Sequence, residues 1–243
     1  KLYLNKYIDD LNSFLECKEG SGTIEYNLGN SFTRMLIGNE TLDGKEIQTA
    51  HSNFDYSKIP IGYYDQVLTE GLRNKRGLQS CWHHIKFKYV KNAMEEYESH
   101  LDIACGPGTF IGTYLDSRSV GIDISSEQIQ YAKKTYSRYE KNFICHDITK
   151  GVLQDKQYDV ITLLEFIEHI PPEEVNILLK TLYEMLDQKG KIIITTPNYK
   201  GLWPFLEKLV SLIGPVDYKY QHINKYTVKR IEEEINFKNV SVK

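Results

Sequence analysis

No run of apolar residues in this 243-residue chain approaches the roughly 18–20 that a membrane-spanning helix needs, so an integral membrane protein is not expected. Cysteine is scarce and scattered. Cys17, Cys81, Cys105 and Cys145 show no C-x-x-C spacing, which argues against a disulfide framework or a zinc knuckle and fits a reducing, cytoplasmic setting. An excess of positive charge is also missing. Thirty Lys and Arg against 33 Asp and Glu leave a net charge of −3, which gives no global attraction for a phosphate backbone and makes nucleic acid an unlikely partner. The chain opens on Lys1, not Met, and lacks the basic and then apolar pattern of a signal peptide.

What is present is an alternation. From His100 onward short β-rich apolar runs alternate with helix-like segments, the pattern of an α/β fold with a parallel sheet covered by helices on both faces. The strand candidates are 100–104, 119–123, 142–146, 158–164, 191–196 and 237–242. Val175, Leu178, Leu179, Leu182 and Leu186 recur at helical spacing, with Gly190 expected to close that helix. Val67, Leu68 and Leu72, then Ile85, Tyr89 and Val90, predict two helices ahead of the sheet. The stretch 20–50 differs: glycines at 20, 22, 29, 38 and 44 punctuate short runs such as 23–26, which suggests hairpins outside the α/β core. The expected organisation is an N-terminal extension over 1–52 and one domain over 53–243, with its core at 100–243.

The segment Leu101-Asp102-Ile103-Ala104-Cys105-Gly106-Pro107-Gly108-Thr109 reads as a strand, a glycine-bearing turn and a helix start. Glycines let backbone approach a ligand, and free amides at a helix start can face its polar groups. Asp123, at the end of the next strand, is placed to accept hydrogen bonds from a ribose diol. Turn and acid together imply a nucleoside ligand. A dinucleotide would require G-x-G-x-x-G, and Ile111 stands where its third glycine belongs.

With those residues the chain resembles the class I S-adenosylmethionine (SAM)-dependent methyltransferases, whose sheet is Rossmann-like. Asp102 through Gly108 is similar to their first motif and Asp123 to the acid ending their second strand; Ala104 departs from the glycine frequent there. The likeness continues through His146-Asp147-Ile148, Tyr158-Asp159-Val160, 165–171 and 190–197. It implies SAM as cofactor, held by Asp102, Ala104, Cys105, Gly106, Gly108, Asp123, Ile124, Gln128, Asp147, Ile148 and Leu164. Asp147 would bond the adenine amino group and Ile148 pack on the ring. A plain helix cap is the competing reading of Asp147. Helices that precede the sheet close over the cofactor in similar enzymes, which brings Tyr64 toward its carboxylate.

Methyl transfer from a sulfonium is an in-line displacement, so the protein has to align the acceptor and exclude water. Glu165, Glu168 and His169 follow the fourth strand candidate, where ligands of open α/β sheets bind. They can act on an acceptor hydroxyl or merely orient the next helix. The Glu-x-x-Glu-His run also resembles the metal-binding motif of coenzyme-Q-pathway O-methyltransferases and of small-RNA 3′-terminal 2′-O-methyltransferases. That resemblance makes Glu165, Glu168, His169 and the later His222 candidate ligands of one divalent metal and candidate catalytic residues. Leu202, Phe205, Leu206, Leu209, Val210 and Ile213 give an apolar-faced helix that packs on the core, lids an apolar acceptor, or contacts a membrane surface or a second copy. Tyr63, Tyr64, Trp82 and Tyr89 are expected to complete the pocket, with His83 and His84 as surface or packing residues.

The resulting expectation is a methyltransferase acting on an oxygen, with nitrogen the second choice, of a small or lipid-like biosynthetic acceptor. RNA 2′-O-methylation and a non-catalytic SAM-binding module are the alternatives, and oligomeric state is left open. Class I sheets insert an antiparallel seventh strand between the fifth and sixth, and 100–243 supplies only six candidates. The missing strand is expected beyond Lys243 or, as the second choice, from 22–37.

Overall fold

A computed structural model describes residues 32–37, 59–74, 77–115, 119–136, 142–150, 156–201, 203–204, 222–234 and 240–242. Their elements in order are β1 (Phe32–Ile37), α1 (Tyr63–Asn74), α2 (Leu78–Met94), β2 (His100–Ile103), α3 (Thr109–Tyr114), β3 (Ser119–Asp123), α4 (Ser126–Tyr136) and β4 (Asn142–Cys145), followed by β5 (Tyr158–Leu164), α5 (Pro172–Glu184), β6 (Leu186–Pro197), α6 (Val228–Glu234) and β7 (Val240–Val242). The sheet has the order β4-β3-β2-β5-β6-β1-β7. Its first five members run parallel, and β1 lies antiparallel between β6 and β7.

Parallel strands covered on both faces must be apolar on both, and β5 shows this residue by residue. Ile161 and Leu163 belong to one buried cluster with Val175, Leu178, Leu179 and Leu182 of α5, while Val160 joins the opposite cluster with Val90, Met94, Phe110 and Ile129. Helix α5 starts at Pro172, which fits a first helical turn because it needs no N–H there, and Glu173 and Glu174 complement the positive end of its dipole.

One expectation is revised here, and another is met by its second choice. Helix α5 ends at Glu184, so Leu186 opens β6 and Gly190 lies inside that strand instead of capping the helix. Leu186 pairs with Tyr158 and Lys191 with Val160, leaving 187–190 as an irregularity in the ladder, and a Cβ on Gly190 would sit 2.9 Å from the Tyr158 carbonyl oxygen. The antiparallel seventh strand comes from Phe32–Ile37, paired from Phe32 opposite Pro197 to Ile37 opposite Ile192, so this part of the N-terminal stretch does contribute to the sheet. Of the last strand candidate, Val240–Val242 is a strand, and 237–239 lie outside the described residues. The hairpin expected at 23–26 and the apolar helix over 205–213, together with Leu202, lie outside the described residues. Among the described residues no helix is long and apolar enough to cross a membrane.

Candidate active site

The carboxyl ends of β2, β3 and β5 open into a cavity of about 480 Å³, within the range of small-molecule sites. Its floor is the turn after β2. Ala104, Gly106 and Gly108 all hold left-handed backbone, φ +56°, +52° and +74°. Around Gly106 the space a Cβ would enter is open, so ligand can reach the backbone there. Gly108 has a different role: it is absent from the cavity lining, and a Cβ on it would stand 2.6 Å from the Phe143 ring. Asp102, Ala104, Cys105 and Gly106 all line the cavity.

Asp123 ends β3 beside that turn. Its Oδ2 accepts from Gly106 N at 2.8 Å and its Oδ1 from Ser125 N at 2.8 Å, which fixes the carboxylate and leaves lone pairs for a diol. Burial raises its carboxyl above the ordinary range, while the Ser125, Gly106 and Ile124 amides oppose that shift. Ile124, Asp147, Ile148 and Leu164 line the same end of the cavity. Asp147 Oδ1 accepts from Thr149 N at 3.1 Å and from its hydroxyl at 2.6 Å, so the capping contact exists alongside the cavity position. Partial burial of Asp147 is outweighed by Thr149 and Lys150, which hold its carboxyl below the usual value. Gln128 lines the cavity while its Oε1 accepts from Gly62 N at 3.1 Å, fastening the start of α1 beside it.

The other end is built from side chains far apart in sequence. Beyond β5 the chain turns through Glu165, at φ +56°, into a single 3₁₀ turn at Ile167–His169. Donor atoms of Glu168, His169 and His222 all lie within 4.8 Å of one another, and Glu165 is not part of that trio. His169 and His222 line the cavity, their ring centroids 5.0 Å apart, and Tyr199 Oη lies 2.6 Å from His222 Nδ1. Glu168 stands behind them, fully buried and outside the lining, with Oε2 accepting from the Thr196 hydroxyl at 3.0 Å. Burial, then the neighbouring Glu165 charge, push its carboxyl well above the ordinary range. Buried Oε1 atoms of both Glu165 and Glu168 have no hydrogen-bond partner.

Helix α2 forms the facing wall. Tyr64 and Trp82 line the cavity as expected; Tyr63 and Tyr89 do not, and Tyr89 is exposed. His83 was expected at the surface or in packing, yet it lines the cavity, and burial with Lys86 nearby pushes its pKa far down, keeping the ring neutral. His84 packs, its Nδ1 2.8 Å from Tyr114 Oη. Lys86, buried and within electrostatic reach of Glu165, Glu168 and Asp102, is not among the sequence expectations, nor is Trp203, whose ring centroid lies 4.7 Å from that of Trp82 with the planes tilted by 50°. The signal existed: Gln79, Trp82, His83, Lys86 and Phe87 share one helical face.

The chain is similar to several known proteins. Residues 101–190, from β2 into β6, match a family described as a methyltransferase domain. A ubiquinone biosynthesis O-methyltransferase of Coxiella burnetii is 24% identical over 148 residues, 59% of this chain and 60% of the relative. Sphingolipid C9-methyltransferase 1 of Gibberella zeae is 20% identical over 198 residues, 76% of this chain and 38% of the relative. The PH0226 protein of Pyrococcus horikoshii OT3 aligns in structure with a TM-score of 0.49 at 25% identity, over 62% of this chain and 67% of its own. The chain thus spans between about two and three fifths of the length of these two curated relatives. The matched segment carries both the glycine turn and the acid ending β3, so residues 101–190 form a methyltransferase domain, similar to those of the class I SAM-dependent enzymes.

Proposed function

We propose that this chain transfers the methyl group of SAM to an oxygen of a small or lipid-like biosynthetic acceptor. The observation that carries this reading is that one cavity joins the glycine turn and Asp123 to Glu165, His169 and His222. The acceptor oxygen attacks the methyl carbon opposite the sulfur, the carbon–sulfur bond breaks, and S-adenosylhomocysteine leaves. In this reading Asp123 holds the ribose, the turn amides approach the cofactor's polar groups, and the His169 imidazole, which lines the same cavity, takes the hydroxyl proton. The apolar walls from Trp82, Phe166, Ile170 and Trp203 exclude water and suit a lipid-like acceptor. Of the relatives, the ubiquinone biosynthesis O-methyltransferase supports transfer to oxygen, while the sphingolipid C9-methyltransferase, named for a carbon position, supports only the lipid-like character of the acceptor.

The acid and imidazole group also fits a divalent metal. Donors on one ion at bonds of about 2.1 Å lie at most roughly 4.2 Å apart, close to the spacing seen, and the orphaned Glu168 Oε1 is a buried acceptor in need of a cation. Glu168, His169 and His222 would hold it, with Glu165 in reach of the acceptor, and a metal there would lower the acceptor hydroxyl pKa. The test is turnover of methyl-labelled SAM against extract fractions and defined phenolic and lipid acceptors, before and after chelation, with metal analysis of untagged protein. Labelled product in a lipid or phenol fraction is expected. Tight SAM binding without transfer to any fraction would leave a cofactor-binding module, and label in RNA would move the acceptor class.

A further inference from the structure

Beneath the cofactor cavity four buried side chains form one line across three strands. Ser119 opens β3, His100 opens β2, Thr162 lies in β5, and Asp102 is on the same face of β2 as His100, two residues on. His100 Nδ1 lies 3.1 Å from Ser119 Oγ, and His100 Nε2 lies 2.9 Å from Thr162 Oγ1. Thr162 in turn donates to Asp102 Oδ1 at 2.6 Å. All four are at most 3% exposed. Only Asp102 reaches the cavity.

Counting protons gives the line a direction. Thr162 has one hydroxyl proton and spends it on the Asp102 carboxylate, so toward His100 it can only accept, and Nε2 carries the hydrogen. A neutral ring then presents a bare Nδ1, which accepts from the Ser119 hydroxyl. Every link donates toward Asp102. If Asp102 becomes protonated, each link reverses without movement of a heavy atom: Asp102 donates to Thr162, Thr162 to Nε2, and Nδ1–H to Ser119. The ring of His100 is held in place by the edges of Tyr97 and Phe110, at 5.7 Å and 6.1 Å between centroids.

We propose that His100 is a positioning residue which, through Thr162, presents Asp102 to the cofactor as an anion, with the imidazole tautomer following the charge on Asp102. This rests on the SAM reading of the cavity. The groups facing Asp102 are Thr162 from β5, Asp123 from β3, Lys86 from α2 and Cys105 in the adjoining turn. Burial pushes its carboxyl up to about 7, with the Thr162 hydroxyl and Lys86 opposing and Asp123 adding to the rise. The α-ammonium group, which SAM and S-adenosylhomocysteine share, favours the ionised form when it lies at Asp102, so below that pH binding must release a proton and weakens by up to about tenfold per pH unit.

The test follows S-adenosylhomocysteine binding by calorimetry from pH 5.5 to 8.5 in the parent, Thr162→Val, His100→Phe and His100→Gln, together with the tautomer of His100 by ¹⁵N NMR. In the parent, affinity falls as pH drops through the region near 7. Thr162→Val removes the donor without changing shape, so the fall begins about one unit higher and affinity at pH 7 is several-fold lower. His100→Phe shifts the profile in the same direction, and His100→Gln, which restores an N–H donor, brings it back. The ring is expected as Nε2–H where Asp102 is ionised and, in its neutral form, as Nδ1–H where Asp102 is protonated. Identical pH profiles in the parent and Thr162→Val, or one tautomer at both ends, would overturn the proposal. If the parent binds no S-adenosylhomocysteine at any pH, the cofactor reading has failed, and the tautomer in the free protein still decides whether the line carries charge.

Discussion

The two ends of the cavity are assembled in opposite ways. The cofactor end is read off consecutive chain: between Leu101 and Ile148, three parallel strands present a turn of left-handed residues, the Asp123 carboxylate and the Asp147 turn, largely through backbone amides. The acceptor end collects side chains from α2, from the turn after β5, from Trp203 and from His222, segments that meet only in the folded molecule. Backbone-built sites tolerate little change in shape, whereas side-chain-built sites can change chemistry while the scaffold stays. The difference predicts that substitutions at the first end act on folding and cofactor affinity, and those at the second on turnover.

The largest expected effect tests the backbone end. Gly108→Val puts a branched side chain at φ +74° with its Cβ 2.6 Å from Phe143 and 3.0 Å from Ala132 Cβ. Left-handed strain and overpacking together cost about 2–5 kcal/mol, a large share of a domain's stability. Urea denaturation should show the loss. A midpoint equal to the parent's would mean that the turn is looser than the packing around Phe143 indicates.

At the acceptor end the counterpart is Glu168, fully buried yet partnered on one oxygen only. Glu168→Gln keeps an acceptor for Thr196 and is expected to stay within about 1 kcal/mol of parent stability, because burial already favours the uncharged form. Its turnover should fall by at least the ten- to hundredfold seen when support of a metal site is removed. Full turnover in Glu168→Gln, measured alongside the melting curve, would reduce Glu168 to scaffold.

How much of each end was legible follows the same division. The strands 119–123 and 158–164 and the acid at 123 were plain because a parallel strand, its turn and its terminal acid are adjacent in sequence. Strand β1 was legible only as a second choice, the stretch 22–37, since its partner in β6 lies far along the chain and a six-residue run carries no mark of that partner. Leu186 continued a helical spacing only by coincidence, and its pairing with Tyr158 decides its state. Glu168 and His169 are legible from their place after a parallel strand and His222 only from a resemblance, while apolar periodicity assigns the buried cation Lys86 and the imidazole of His83 to no face, and Trp203 meets Trp82 only in the folded chain. Glu165 shows the limit of spacing arguments: it was grouped with the trio, and its turn leaves it outside.

A smaller effect separates the ribose acid from the capping acid. Asp123→Ala removes the proposed partner of the diol and the acceptor of the Gly106 and Ser125 amides, costing about 1.5–3 kcal/mol of SAM affinity, roughly ten- to 150-fold. Asp147→Ala should cost less, since Asp147 already spends Oδ1 on Thr149. Calorimetry with both variants checks the ranking. Equal losses would mean that Asp147 binds as strongly as Asp123, and no loss at Asp123 would move the ribose elsewhere.

The smallest expected effect is the sharpest test of the comparison, because each end contains one non-glycine residue at φ +56°, Ala104 and Glu165. Left-handed backbone costs an L-residue about 1–2 kcal/mol, and replacing it with glycine returns that strain less about 0.5–1 kcal/mol of unfolded-chain entropy. Ala104→Gly and Glu165→Gly should therefore each raise stability slightly, by up to about 1 kcal/mol or roughly 2–4 °C in Tm. At Ala104 the strained residue holds a turn already secured by Cys105 N donating to Ile122 O at 3.0 Å and Gly106 N donating to Asp123, so relief there acts on stability. At Glu165 the amide donates to Thr195 O at 2.9 Å, which pins the backbone so that the carboxylate is turned into the cavity with a buried oxygen left unpaired. Strain kept at such a position is expected to serve the reaction. Turnover should fall at least tenfold further in Glu165→Gly than in Ala104→Gly, although the two gain stability alike. Matching turnover in the pair would show that the Glu165 carboxylate takes no part in the reaction, and the acceptor end would then rest on Glu168, His169 and His222.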